Sequence, residues 1–569
     1  MAVRRAFDEI YGMDAPEGGH APRPGFEGLA RWIETTPLQE LERRQHAAEA
    51  AFRQLGITFA VYGEDEASER IIPFDIVPRV FTQPEWARLK AGLEQRVEAI
   101  NAFLDDVYGE RRILKDGVIP EELVLGNPQF RPMMAGSRPP HGIYAHICGI
   151  DMVRTGPDEF YVLEDNARTP SGVSYMLENR EAMIRLCPEI FEMYEVEPVD
   201  SYPDMLRETL KSVAPRGSGE EPVCVLLTPG HFNSAFYEHS FLADNLGVEL
   251  VEAADLEVDD DFVWMRTIEG RVRVDVIYRR IDDDYIDPLV FNPDSLLGVP
   301  GLISAYLAGN VALANAPGTG IADDKAIYSY MPEIVRYYSG GEAKLPNVET
   351  WRCREPDALR YTLDHLDELV VKLVDGSGGY GMLVGPTASR AEIEAFRAAL
   401  IAEPQRYIAQ PTLALSTVPT LTASGVAPRH VDFRPFCLTG TNGVCIVPGG
   451  LTRVALREGS LVVNSSQGGG TKDSLILGNR RRQSQSQSQS QSGGGTQSQS
   501  QSQGQGQGQS QGGIDAHRMQ PGGGMGQAVA GTDAASRGFQ GPAPSPPGGG
   551  QQSQSLPAPG GEDLGGEAR

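Results

Sequence analysis

The sequence predicts a mixed α/β (α+β) protein of several domains, followed by a long disordered tail. Three observations carry this reading. Between residues 222 and 320, short β-type runs alternate with a helical run, the rhythm of a parallel, Rossmann-like layer. Between 321 and 478, mixed α and β sequence is so dense in strand candidates that a mainly antiparallel sheet is expected. Beyond about residue 480 the composition changes abruptly to Gln/Ser/Gly repeats and a Pro/Gly-rich end.

Residues 1–140 read as mostly helical. Thr82-Gln-Pro-Glu85 has the form of a capping box, with Phe81 and Trp86 placed for a hydrophobic staple. Behind it Trp86, Leu89, Leu93, Val97, Ile100, Leu104 and Val107 recur at three and four residues, one apolar helix face for core packing. Residues 141–221 begin with two short strand runs, HICGIDMV and EFYVLE, joined by a Thr-Gly-Pro-Asp turn; a helical stretch follows from about Tyr175. In 222–320, VCVLL is a strand, SAFYEHSFLADNL a helix ending at Gly247, and VELV and VDVIY further strands. No GxGxxG follows the first strand, so a dinucleotide site is not supported. In 321–478, LVVKLV and MLV flank a glycine loop, and YIAQ, HVDFRPFCL, GVCIV, LTRVAL and SLVVN are strand candidates. Residues 479–569 cannot bury enough apolar surface to offset ordering entropy; from 483 onward Phe539 is the single aromatic residue. This segment is expected to be disordered, either a tether for a protein partner or a tail without function.

Composition excludes several classes. Lys and Arg number 50 against 77 Asp and Glu, a net charge of −27. Such a surface repels phosphate backbones, so nucleic acid is not an expected partner. No run of about 18 apolar residues exists, so no membrane helix is expected. The N-terminus lacks an apolar segment after its arginines, so a cytoplasmic, soluble protein is expected. The six cysteines form no CxxC pair, which argues against zinc and a disulfide framework. Cys437 and Cys445 either meet across a hairpin or are buried free thiols. Histidines show no HExxH spacing and no GxSxG elbow is present, so nucleophilic hydrolase chemistry is poorly supported.

Two motifs point to phosphate chemistry. In Lys372-Leu-Val-Asp-Gly-Ser-Gly-Gly-Tyr-Gly381, a strand lysine precedes Gly376, Gly378, Gly379 and Gly381. Glycines let successive N–H groups converge on phosphate oxygens, and the lysine adds a mobile charge. A surface hairpin is the competing reading. In Gly318-Thr-Gly-Ile-Ala-Asp-Asp-Lys325, Asp323 is placed to cap a helix with Lys325 in its first turn, where a lysine is unfavourable unless it faces an anion.

Asp151, Glu164 and Asn166 form a second signal. If the two strand runs pair, these oxygens converge, and three hard donors suit Mg²⁺. Asp165 would then point away. The competing reading is an acidic hairpin on an acidic protein. Asp282, Asp283 and Asp284 also look like metal ligands but read more readily as a solvent-facing turn, with Arg279 and Arg280 placed to neutralise it or to take a substrate carboxylate. Arg434 and Arg453 lie on strands, where a buried arginine needs an anion: a phosphoryl group or a structural carboxylate. Asn464-Ser-Ser-Gln-Gly-Gly469 is a polar turn that either faces a phosphate or is only a loop.

Together these parts resemble the ATP-grasp superfamily, in rotated order. An ordinary member runs from a Rossmann-like pre-domain through a DK-type lysine, a strand lysine with its glycine loop, a hinge strand and a D-x-R strand to a metal hairpin ending in E-x-N. Here residues 222–320 look like the pre-domain, and 321–478 like the nucleotide-binding core. Lys325 matches the first lysine; Lys372 with Gly378, Gly379 and Gly381 matches the second and its loop. YIAQ looks like the hinge, with Gln410 where many members carry glutamate. Asp432 and Arg434 match the D-x-R strand, and Arg453 and Asn464 its sequels. The metal hairpin appears far upstream, as GID at 149–151 and EDN at 164–166.

Over roughly residues 7–478 the chain resembles the bacterial circularly permuted ATP-grasp proteins, distantly similar to the glutathionylspermidine synthetase ATP-grasp domain. LEDNARTPSGVSYMLENR and VVKLVDGSGGYGMLVGP are among the stretches that carry this. The resemblance implies ATP and Mg²⁺ as cofactors, Mg²⁺ held by Asp151, Glu164 and Asn166. Lys325 and Lys372 would hold the phosphates, and Arg434 and Arg453 the phosphoryl group in transfer. It implies a ligase that joins a small-molecule or peptide carboxylate to an amine or thiol through an acyl phosphate. A non-catalytic nucleotide-binding protein and a phosphotransferase are the alternatives.

Overall fold

A 26-residue helix, Gln83–Tyr108, forms where the three-and-four spacing places it. Its capping box is present: the Glu85 carboxylate accepts from the Thr82 backbone N–H at 2.8 Å. All seven residues of the predicted stripe are buried in one core together with Phe81. The computed structural model describes residues 6–12, 21–62, 67–376, 381–461, 463 and 468–478. The segment 479–569, expected to be disordered, lies outside the described residues.

The helical N-terminal region also contains strands. Thr58–Tyr62 pairs with Ala67–Ile71, and Phe74–Phe81 joins the largest sheet of the protein. That last strand is buried along its whole length, although it carries Asp75, Arg79 and Pro78. Both charges are paired: Arg79 with Glu9 and Asp75 with Lys472. The ladder shifts register between Lys472 and Ser474, opposite the stretch holding Pro78, a bulge of the kind that admits a residue with no N–H to donate.

The largest sheet has nine strands. Along its main path they run Gly443–Ile446, Phe436–Gly440, Ile147–Arg154, Gly425–Arg434, Leu451–Val454, Gly470–Ile476 and Phe74–Phe81. Phe160–Asn166 pairs with Ile147–Arg154, and Thr417–Thr422 with Gly425–Arg434. All pairings are antiparallel except that of Gly470–Ile476 with Phe74–Phe81. The upstream hairpin thus sits in the middle of a sheet built mostly from the end of the folded chain, which is the expected rotation of order in three dimensions.

Gly470–Ile476 was not among the expected strands. Its sequence, GTKDSLI, does not alternate, yet every residue is buried. The two charges again explain it: Lys472 Nζ donates to Asp75, Val77 O and Pro419 O, and Asp473 pairs with Arg180. SLVVN, expected as a strand, includes Val462 and Asn464, which lie outside the described residues; Ser460, Leu461 and Val463 are not in a strand.

The β-α-β segment folds as anticipated. Ala312–Ala314, Val276–Arg279, Cys224–Leu227 and Glu249–Val251 form a parallel sheet in that order. The helix Phe236–Leu246 stops at Gly247, whose φ of 65° gives the left-handed cap that ends it. A three-stranded antiparallel sheet over Leu256–Asp259, Phe262–Thr267 and Gly270–Arg273 is inserted in this layer. A separate four-stranded antiparallel sheet follows, ordered Trp351–Arg352, Tyr407–Pro411, Leu369–Leu373 and Leu383–Val384. The helices Pro356–Asp364 and Arg390–Ala402 pack on it around a small core of its own.

Candidate active site

A cleft of ≈ 1110 Å³, its open mouth included, lies between the small sheet and the nine-stranded sheet. Asp151, Glu164, Lys325, Lys372, Gln410, Asp432 and Arg453, all singled out in the sequence, line it.

The hairpin delivers its carboxylates as the spacing required. Asp151 stands opposite Glu164, and Gly149 opposite Asn166. Asp165 does point away: it is buried against Arg96, which holds both its oxygens at 2.6 and 2.7 Å. Asn166 commits its NH₂ to Gly149 O at 3.2 Å, leaving its amide oxygen to accept.

Asp151 is not free. Arg434 forms a two-pronged pair with it, and Arg453 Nη2 donates to its Oδ2 at 2.7 Å. Arg453 also grips Asp432, the residue opposite it in the neighbouring strand, at 2.5 to 3.0 Å. The two arginines and two aspartates form one network. Burial opposes ionisation of Asp151, but Arg434 and Arg453 outweigh it and hold the carboxyl well below the usual range. Asp432 is raised: burial leads, and the adjacent Asp151 charge adds to it against the pull of Arg453. In this structure Arg434 and Arg453 both pair with carboxylates, and Arg453 in addition borders the cleft.

The lysines arrive from the other side. Asp324, not Asp323, caps the helix Lys325–Tyr328, accepting from Ala326 and Ile327 N–H. Asp323 instead accepts from Ala167 N–H at 2.6 Å and lies 3.7 Å from Arg168; burial raises its carboxyl to about 7. Lys325 Nζ donates to Gly376 O at 2.5 Å and stands 3.4 Å from Glu164. Lys372 Nζ donates to Gln410 Oε1 at 2.8 Å, and Gln410 Nε2 to Thr350 Oγ1 at 3.0 Å. These two bonds fix the orientation of the Gln410 amide. Gly381 has φ 66°, and a Cβ there would stand 2.9 Å from the Leu373 side chain, so the end of the glycine loop tolerates only glycine without a shift. Gly378, Gly379 and Asn464 lie outside the described residues.

The other half of the cleft is apolar. Val370, Val384, Leu413, Leu415, Leu461 and Val463 line it. Leu413 and Leu415 escaped the sequence reading; their alternation in PTLALS was the available signal. An apolar slot edged by the Gln410 amide, opening onto Lys325, Lys372 and Arg453, fits a base at one end and phosphates at the other.

Asp282, Asp283 and Asp284 do not simply face solvent, as the sequence suggested. Asp283 is fully buried, paired with Arg279 at 2.7 Å and accepting from Gly318 N–H. Asp282 stands 3.5 Å from Arg168, and Asp284 2.8 Å from Arg131. Arg279 neutralises this cluster, whereas Arg280 pairs with Glu238. Buried arginines elsewhere in the chain were the missing information. The cysteines among the described residues are free; Cys437 is buried, but Cys445 is exposed. Burial lowers His146 to about 4, as befits a structural histidine.

Lys372 gives a pH signature. Burial pushes its ammonium down to about 8, with Glu164 opposing and Lys325 adding to the shift. A bound polyphosphate favours the charged form. Binding of an ATP analogue near pH 8.5 is therefore expected to take up a proton, and affinity to fall as pH rises above about 8. Calorimetry in buffers of different ionisation enthalpy checks this; buffer-independent heats would exclude it.

Two sheets closing on a cleft, one with a strand lysine and glycine loop, the other with an E-x-N hairpin, define the ATP-grasp arrangement, here with the hairpin moved upstream. The chain belongs to the circularly permuted ATP-grasp type 2 family, whose model matches residues 78–455. An uncharacterized protein of Synechocystis sp. is 52% identical over 456 residues, 80% of this chain and 95% of that protein. A Frankia alni protein named "Putative glutamate--cysteine ligase 2-3" is 43% identical over 458 residues, 80% of this chain but 52% of that protein, so this chain corresponds to about half of it. Among solved structures, the apo form of a glutathione synthetase-like effector from Globodera pallida aligns with a TM-score of 0.53, at 11% identity, over 78% of this chain and 98% of that one. At that identity the likeness is one of fold. Among the described residues, no helix is long and apolar enough to cross a membrane.

Proposed function

We propose that the chain is an ATP-dependent ligase that joins a carboxylate to an amine or thiol through an acyl phosphate, releasing ADP and phosphate. The observation that carries this reading is the meeting of Lys325, Lys372, Glu164 and Arg453 in one cleft, from four separate stretches of chain. Family membership supports it, and so does the ligase name of the Frankia relative. Only about half of that relative matches, so its substrates are not carried over.

The residues present fit magnesium and a nucleotide. Glu164, 26% exposed and lining the cleft, and the Asn166 oxygen on the same strand face are hard donors of the kind Mg²⁺ takes. Asp151 fits only in exchange for its arginines. When bound, MgATP would supply the phosphoryl group that activates the substrate carboxylate. Lys325 and Lys372 would neutralise and align the phosphates. Lys325, already 3.4 Å from Glu164, would bridge that carboxylate and the phosphate chain. Arg453, itself buried, would stabilise charge on the phosphoryl oxygens.

The test combines purified protein, MgATP and pools of carboxylates with amines or thiols, with ADP and phosphate as readouts. Acceptor-dependent ADP release, and a hydroxamate when hydroxylamine replaces the acceptor, is the expected result. Nucleotide binding with no acceptor-dependent turnover across broad pools would overturn the ligase reading in favour of a non-catalytic nucleotide-binding protein. A stable phosphorylated product would instead mean phosphotransfer.

A further inference from the structure

The hairpin that carries Glu164 and Asn166 starts at Ile147 and leaves its last strand at Asn166. Both ends meet one side chain from another part of the molecule. Asn315 directly follows Ala312–Ala314, the edge strand of the parallel layer. Its Oδ1 accepts from the backbone N–H of His146 at 2.7 Å and of Ile147 at 2.8 Å. Its Nδ2 donates to Ile147 O at 2.7 Å, Ala167 O at 2.8 Å and Arg168 O at 3.2 Å. Asn315 is 2% exposed and does not line the cleft.

The orientation of this amide is fixed by chemistry. Turned over, its NH₂ would face two N–H groups and its oxygen three carbonyls. All its bonds go to backbone, so they set the course of the chain whatever side chains stand there. The same layer also holds the chain further on. Arg280 donates to Pro170 O at 2.6 Å, and its partner Glu238 accepts from Gly172 and Ser174 N–H at 2.7 and 3.2 Å.

We infer that Asn315 is a positioning residue: it pins both ends of the hairpin so that Glu164 presents its carboxylate to the cleft, with Asn166 held on the same strand face and Arg280 and Glu238 securing the segment downstream. This rests on the nucleotide site of the proposed ligase. The role is indirect, because Asn315 touches neither lysine nor the cleft. Its loss should therefore affect only the part of nucleotide binding that depends on the hairpin.

The test is Asn315→Asp, which keeps size and the acceptor for His146 and Ile147 but sets a second oxygen against three carbonyls. ADP binding is titrated with and without Mg²⁺ on wild type and variant. The expected result is unchanged affinity without Mg²⁺ and an Mg²⁺-dependent gain reduced about tenfold or more, the usual consequence of loosening the groups behind a metal ligand. A folded variant with the full gain overturns the inference, and so does an equal loss with and without Mg²⁺, which would mark a merely structural role. If Asn315→Asp shows no cooperative unfolding, Glu238→Gln decides. It loosens the same segment from its far end, and it should show the same selective loss; wild-type behaviour there overturns the proposal. Wild-type protein that binds no ADP under either condition would refute the nucleotide site itself, a different failure.

Discussion

Lys372→Met is expected to lower affinity for a non-hydrolysable ATP analogue by roughly 10²-fold, about 3 kcal/mol, and to reduce ADP release at least as much. The methionine keeps the apolar stem and removes the ammonium. Stability should remain within about 2 kcal/mol of wild type, because two effects oppose each other. Gln410 Oε1 loses its donor, a cost of about 1–3 kcal/mol. Against this, the variant no longer desolvates a cation. The sign follows from the lowered value: between about 8 and the ordinary lysine range the unfolded chain holds the proton more tightly than the native one. Native stability from this group thus rises with pH through that window, and below it the buried ammonium is a net penalty. Calorimetry and chemical denaturation on the same preparation separate the two quantities. An unchanged affinity in a folded Lys372→Met would remove this lysine from the phosphate site.

Asp151→Ala is the second large effect, and it is one of stability. The carboxylate serves Arg434 and Arg453 together. Deleting it leaves Arg434 without its carboxylate partner and Arg453 with Asp432 alone, at a cost of about 3–5 kcal/mol. The pH dependence agrees in sign. With Asp151 held below its ordinary value, its contribution is present at neutral pH and is lost as pH falls below about 4. Asp432 works in the opposite direction, since its raised carboxyl is relieved by protonation. Urea denaturation of wild type and Asp151→Ala measures the difference. A loss below about 1 kcal/mol would mean that the network contributes little and that Asp151 is as available to a cation as the sequence alone suggested.

The sites that were legible in the sequence share a physical property: their geometry is local. Asp151, Glu164 and Asn166 needed a hairpin and two-residue alternation to be placed together, and the resemblance to a known family to be read as more than an acidic hairpin. Lys372 and Gly381 needed a strand followed by a loop. The stripe from Trp86 to Val107 needed only helical spacing. The errors have a common origin too. Phe74–Phe81 and Gly470–Ile476 carry Asp75, Arg79, Lys472 and Asp473, which break the apolar pattern until each charge meets a partner remote in the chain. Asp282 to Asp284 read as a solvent turn because Arg131 and Arg168 lie far away in sequence.

The sequence by itself determined the class of fold, for which short-range spacing and residue chemistry are enough. Through its resemblance to a known family it also gave away the rotated order of the parts and the charged groups that line the cleft. Only the tertiary structure decided that Asp151 is shared by Arg434 and Arg453, that Glu164 stands beside Lys325, and that Asn315 ties the hairpin to the parallel layer. Those facts depend on which buried charge or amide meets which partner across long stretches of chain. Burial makes each pairing obligatory, but the linear order of residues does not reveal the partner.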